Sequence, residues 1–97
     1  MQQAIEGQLT LLKCIADETR FKILLMLKDG DRCVCEIFME LGKEQSLISH
    51  HLKTLRKCGI VEYRREGKRI RYRLADPSVL DLLTKVEELA DAFCRVR

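Results

Sequence analysis

Apolar residues first recur along this chain at intervals of three and four. Ile5, Leu9, Leu12 and Ala16 make one helical stripe, widened by Leu11 and Ile15, and predict a first helix. Asp17 can cap a second helix through Glu18–Lys28, with Phe21, Leu24 and Leu25 facing inward and Asp29-Gly30 as its end. Asp31 stands where it can cap a third, whose stripe is Val34, Ile37, Phe38 and Leu41 and whose stop is Gly42. After a short connection, Ile48, Leu52 and Leu55 define a fourth helix to about Cys58, with Gly59 closing it. The period then falls to two. Residues 61–65 and 69–74 alternate, Ile70, Tyr72 and Leu74 opposing Arg69, Arg71 and Arg73, with Glu66-Gly67-Lys68 as a hairpin tip. Asp76-Pro77 opens a last helix reaching the C-terminus, its apolar face carrying Val79, Leu82, Leu83, Val86, Ala90 and Phe93. The expected architecture is a winged helix-turn-helix, mainly α with a small β-hairpin, as a single domain over residues 1–97.

Composition narrows the setting. The 97 residues are 46% hydrophobic and 34% charged, which is ordinary for a folded domain and too apolar for a disordered tail. A core of this size is modest, so pairing with a second copy is expected. The longest uncharged apolar run, Ile23 to Leu27, is far too short for a membrane span. Met1 to Glu6 has neither the basic nor the apolar region of a secretory signal, so a cytoplasmic, reducing location is expected. In that setting five cysteines point to metal binding or redox chemistry rather than a disulfide framework. So short a chain leaves little room for a substrate pocket beside a DNA-sized surface, and no enzyme is expected.

Charge then locates a surface. The formal net charge of +3 hides a segment, residues 43–73, with ten Lys/Arg and three Glu, flanked on both sides by mildly acidic stretches. Such a footprint suits nucleic acid, because neutralising phosphates releases counterions. At 100° per residue, Ser46, His50, Lys53 and Lys57 lie opposite the apolar stripe of the fourth helix, Ser49 on one flank and Leu47 and Thr54 on the other. Gln45, Ser46 and His50 near its start suit base edges in the major groove; Lys53, Arg56 and Lys57 suit phosphates. Arg65, Lys68, Arg69, Arg71 and Arg73 on the hairpin can reach the neighbouring minor groove or backbone. The adjacent His50 and His51 point about 100° apart, so they are not assigned to one metal ion.

Three segments carry a resemblance. Ala16-Asp17-Glu18-Thr19-Arg20-Phe21-Lys22-Ile23-Leu24, Ser49-His50-His51-Leu52-Lys53-Thr54-Leu55-Arg56-Lys57-Cys58-Gly59-Ile60-Val61 and Arg65-Glu66-Gly67-Lys68 resemble the ArsR/SmtB family of repressors. With Cys33-Val34-Cys35-Glu36-Ile37 between them, the likeness spans about residues 10–75. It implies a homodimer built from the first and last helices, and a repressor that leaves double-stranded operator DNA when a ligand binds. One departure is Glu44, where family members often have Ser; it is a weaker cap and an anion close to DNA. At the last-helix zinc site of the family, only Asp76 matches, with Ser78, Leu89 and Ala92 in the other places, so no zinc is expected there.

Cys33-Val34-Cys35 resembles the thiolate pair of the arsenic- and cadmium-sensing branch. Read as first-turn helical residues, the two flank the inward stripe by about 100° on either side, and neither is a central core position. Unpaired N–H groups there, with Arg32, favour anionic sulfur. Soft thiolates select As(III) or Sb(III), or alternatively Cd(II), Pb(II) or Zn(II). Residues i and i+2 of a regular helix do not meet, so one ion holding both sulfurs is expected to distort that turn and misplace the fourth helix. A third ligand is open between Cys14 and Cys94, each equally able to be a small buried residue; Cys58 is read as structural. Three other readings stand beside this one: a redox- or reactive-sulfur-sensing repressor of the same fold, a ligand-independent DNA-binding module, and a small thiol enzyme. The last lacks any Cys-x5-Arg phosphate loop.

Overall fold

The computed structural model describes residues 1–94 and runs α1 (Gln2–Ile15), α2 (Glu18–Lys28), β1 (Arg32–Cys33), α3 (Val34–Leu41), α4 (Gln45–Lys57), β2 (Val61–Glu66), β3 (Arg69–Leu74) and α5 (Pro77–Phe93). The expected continuation of α5 to the C-terminus falls, past Cys94, outside the described residues. Helix boundaries follow local chemistry. Asp17 accepts the Arg20 N–H and caps α2, and Asp76 accepts the Ser78 N–H ahead of Pro77 at the start of α5. Gly42 closes α3 in the left-handed region, φ 64°, where a side chain would be strained, and this turns the chain into α4. Glu44 precedes α4 without giving its N-terminus a side-chain hydrogen bond.

Two boundaries differ from expectation. Asp31 does not cap α3; Cys33 does, in extended backbone, with the Glu36 carboxylate accepting the Cys33 N–H at 2.9 Å. The residues just before α3 form the short strand β1, so the hairpin is one part of a three-stranded antiparallel sheet of order β1-β3-β2. Arg32 pairs with Tyr72 and Cys33 with Arg71. The β2–β3 register, Val61 to Leu74 through Glu66 to Arg69, leaves a two-residue tip of Gly67-Lys68.

The core gathers Ile23, Leu24, Ile37, Ile48, Leu52, Leu55 and Leu83, all fully buried. On α2 the inward set is Ile23, Leu24, Met26 and Leu27, while Leu25 is exposed. Helix α2 packs against β3, α4, α1 and α3, which covers its sides except the one carrying Glu18, Lys22 and Leu25. On α5 the first half of the apolar face, Val79 and Leu83, is buried, but Val86, Leu89 and Phe93 are exposed; so are Ile5, Leu9 and Leu12 of α1. One side of the molecule therefore presents the apolar faces of two helices to solvent.

Candidate nucleic-acid interface and thiol site

Helices α3 and α4, joined through Gly42, form a helix-turn-helix. Burial of Ile48, Leu52 and Leu55 fixes the rotation of α4, and the opposite face is exposed at Gln45, Ser46, Leu47, Ser49, His50, Lys53, Arg56 and Lys57. On the wing, Arg64, Arg65, Lys68 and Arg69 are exposed as well. The Arg56 guanidinium lies 4.4 Å from the Tyr63 ring centroid, and Tyr63 sits 5.8 Å from Tyr72, so the end of α4 is stacked onto the wing. Sequence reading gave Arg56 to phosphate and missed this stack, since only the β2 register puts Tyr63 beside α4.

The remaining wing arginines are engaged. Arg73 donates to Glu62 at 2.6 Å. Arg71 donates to the Asp31 carbonyl at 3.1 Å and lies 4.0 Å from Glu36 and 3.9 Å from Glu66. Of the two adjacent histidines, His50 is exposed, whereas His51 turns inward. Its Nδ1 is 3.4 Å from the Arg20 guanidinium and 4.0 Å from Asp17, and burial, ahead of the nearby charges, holds its pKa below the usual histidine value. Arg20 also donates to the Cys14 carbonyl at 2.7 Å and the Lys13 carbonyl at 3.3 Å, so it ties the end of α1 to α2 and α4. Nothing in the spacing of Asp17, Arg20 and His51 announces that cluster.

Cys33 and Cys35 are brought together. Their sulfurs are 3.2 Å apart, one buried and one exposed, at the junction of β1 and α3. This corrects two expectations. Cys33 is not a first-turn helical residue but the residue before the helix, in extended backbone, so the i, i+2 pair meets with no distortion of α3. Nor is the Cys33 thiol made acidic: burial foremost, then the Cys35 thiol, pushes its pKa up, and the Glu36 N–H opposes this only in part. Arg32 points to the Asp31 carbonyl at 3.1 Å. The two sulfurs line a cleft of about 290 Å³ whose far wall is the wing: Lys68, Arg69 and Ile70.

The other cysteines lie elsewhere. Cys14 is buried in the core, its sulfur 4.0 Å from the Thr54 carbonyl, and burial and the Cys58 thiol raise its pKa to about 12. Cys94 is exposed at the end of α5. Among the described residues no cluster of three Cys, His, Asp or Glu side chains forms within the chain. Chemically, the Cys33–Cys35 pair fits a thiophilic ion, offering two soft donors already in contact and one face open to solvent. No described helix is long and apolar enough to cross a membrane.

A helix-turn-helix with an exposed polar and basic second helix, flanked by a cationic wing, defines a DNA-binding transcriptional regulator rather than an enzyme. Comparison with known proteins narrows the class. The family described as "Bacterial regulatory protein, arsR family" matches residues 17–63. The cadmium resistance transcriptional regulatory protein CadC homolog of Staphylococcus aureus is 38% identical over 76 residues, which cover 77% of this chain and 63% of that protein. The arsenical resistance operon repressor of Escherichia coli is 44% identical over 66 residues, covering 67% and 56% respectively, so the chain spans about three-fifths of the length of these two relatives. Among solved structures, the homodimeric winged helix-turn-helix DNA-binding domain from Mycobacterium bovis, a possible ArsR-family regulator, superposes with a TM-score of 0.88 at 33% identity, covering 93% of this chain and 83% of that one. The chain belongs to the arsR family of bacterial regulatory proteins.

Proposed function

We propose that the protein is a homodimeric repressor that binds double-stranded operator DNA and is released when As(III) or Sb(III), or a thiophilic divalent ion such as Cd(II), Pb(II) or Zn(II), binds Cys33 and Cys35. The observation that carries this reading is the 3.2 Å sulfur contact at the start of the first helix of the helix-turn-helix. Gln45, Ser46, Leu47, Ser49 and His50 are assigned to base edges, with Lys53, Lys57, Arg65, Lys68, Arg69 and Arg71 on backbone or minor groove. The exposed Ile5, Leu9 and Leu12 of α1 and Val86, Leu89 and Phe93 of α5 supply the self-complementary face, in keeping with the homodimeric neighbour.

Distorting α3 is not needed for release. Cys33 is the register partner of Arg71, and Glu36 accepts the Cys33 N–H while facing Arg71 at 4.0 Å. An ion held by both sulfurs is linked to this wing arginine through Cys33 and Glu36, and it releases DNA to the extent that it favours another placement of that segment. DNA affinity then falls by the ligand's preference for that other placement; a hundredfold preference corresponds to about 2.7 kcal/mol.

Anaerobic titration of reduced protein with arsenite and separately with Cd(II), followed by sulfur-to-metal charge-transfer absorbance, tests the assignment. A saturable endpoint lost in Cys33→Ser, with release of a selected operator fragment lost in the same variant, is expected. Absence of any saturable signal with both ions sinks it. The same contact favours one second reading, oxidation of the pair to a disulfide by hydrogen peroxide, two thiols and one hydrogen peroxide giving the disulfide and two waters. A mapped Cys33–Cys35 disulfide that releases DNA, from protein that takes up neither ion, selects that reading.

A further inference from the structure

The cleft beside the thiol pair is larger than an ion requires. At about 290 Å³ it approaches the size of a small-molecule site, and a water-sized body takes only about 30 Å³. Its walls are unequal in character. One side is the two sulfurs with Val34; the other is Lys68, Arg69 and Ile70. The nearby carboxylates are occupied, Glu36 and Glu66 both facing Arg71, whereas Lys68 and Arg69 have no carboxylate within ion-pair distance among the described residues. The site thus has two sulfur donors, an open space and two cations that make no ion pair among the described residues, although Glu66 is the cross-strand neighbour of Arg69.

Trivalent arsenic forms three bonds to sulfur, and this chain brings only two sulfurs together there: Cys14 is in the core against Thr54, and Cys94 ends α5. We infer that the third sulfur on a metalloid held by Cys33 and Cys35 comes from a small soluble thiol bearing a carboxylate, received by Lys68 and Arg69. This rests on the metalloid reading above and names the form in which that ligand is held. The balance is a simple condensation. Arsenous acid, two protein thiols and one soluble thiol exchange three As–O bonds for three As–S bonds; the three thiol protons leave with the three hydroxides as water, and arsenic stays trivalent throughout. Seated there, the carboxylate occupies the wing-tip cations that would otherwise meet phosphate, so the complex opposes DNA at the wing directly.

The test is arsenite titration of the reduced full chain under argon, alone, with mercaptoacetate and with cysteamine. Charge-transfer absorbance gives affinity and X-ray absorption counts sulfur around arsenic. Two sulfurs per arsenic are expected without added thiol and three with mercaptoacetate, which tightens binding about tenfold more than cysteamine does. In Lys68→Gln/Arg69→Gln protein that difference between the two thiols falls below about twofold. Three sulfurs without added thiol, reduced to two by Cys14→Ser or Cys94→Ser, overturn the inference by placing the third donor in the protein. Equal tightening by both thiols overturns the role of Lys68 and Arg69. If arsenite gives no sulfur signal under any condition, the metalloid reading itself fails, an outcome distinct from the other two.

Discussion

Arg20→Met is the substitution whose consequences the structure fixes most closely. The guanidinium donates to the Cys14 carbonyl at 2.7 Å and to the Lys13 carbonyl at 3.3 Å, both at the end of α1 where carbonyls lack helical partners, and it faces His51 at 3.4 Å. A charged donor at short distance contributes about 1.5–3 kcal/mol, and the longer, exposed contact adds little. Methionine keeps the apolar stem and loses every donor, so a loss of about 2 kcal/mol is expected, which for a chain of this length lowers Tm by roughly 10 °C. Removing the cation also removes one of the influences that lower the His51 pKa, so that pKa rises toward its unfolded value. The sign follows. A histidine depressed in the fold contributes stability above its unfolded pKa and loses it as pH falls; with the depression smaller, the variant loses less on going from about pH 7.5 to 5.5 than wild type does. Circular dichroism melts at both pH values and an NMR titration of the His51 ring measure the two effects. An unchanged Tm together with an unchanged His51 midpoint would refute the picture of Arg20 as the tie between α1 and the helix-turn-helix.

Other outcomes follow from the same geometry. Because the pKa of the Cys33 thiol is raised by burial and by Cys35, Cd(II) must displace its proton, and Cd(II) affinity should climb as pH rises toward that pKa; arsenous acid, whose condensation with thiols releases water and no net proton, should show a much flatter profile in parallel titrations. His50→Ala should narrow the gap between operator and random DNA by about 1–3 kcal/mol in competition binding, whereas Arg71→Ala should weaken both alike and reduce the salt slope by about one. Equal loss on both DNAs for His50→Ala would remove it from base reading. Leu9→Glu with Leu89→Glu should convert a dimer to monomer in analytical ultracentrifugation while leaving the circular dichroism of the fold intact, since these side chains are exposed in the single chain.

Most of the fold was legible where one face of an element is buried. The α4 stripe of Ile48, Leu52 and Leu55 reads at helical spacing and proves fully buried, which is why its outer face could be assigned residue by residue. Strand β3 likewise begins and ends where the alternation of Arg69 to Leu74 says. What failed was local sequence standing in for partners distant along the chain. Strand β1 is two residues long and exists only because Tyr72 and Arg71 lie alongside it, so no periodicity in Arg32-Cys33 could show it. Taking those residues as helix put the two sulfurs on opposite flanks, when extended backbone at Cys33 puts them in contact. Leu25 is an apolar residue that the stripe on α2 turned inward, and the structure exposes it. The Asp17, Arg20 and His51 cluster joins α2 to α4 and has no sequence signature of its own.

The pairing of Cys33 with Arg71 gives the molecule an unusual economy of inheritance. The segment that would take up the effector and the strand that would touch DNA are neighbours in one sheet, although the sequence places them almost forty residues apart. If the proposed assignment holds, a change at either strand would meet both tasks at once. On that assignment, altering the wing to fit a new operator would re-tune the pocket behind it, and adapting the pocket to another ion would re-aim the wing. Variants that separate specificity for DNA from specificity for ligand should arise more readily on the outer face of α4, the one part of the reading surface that the sheet does not carry.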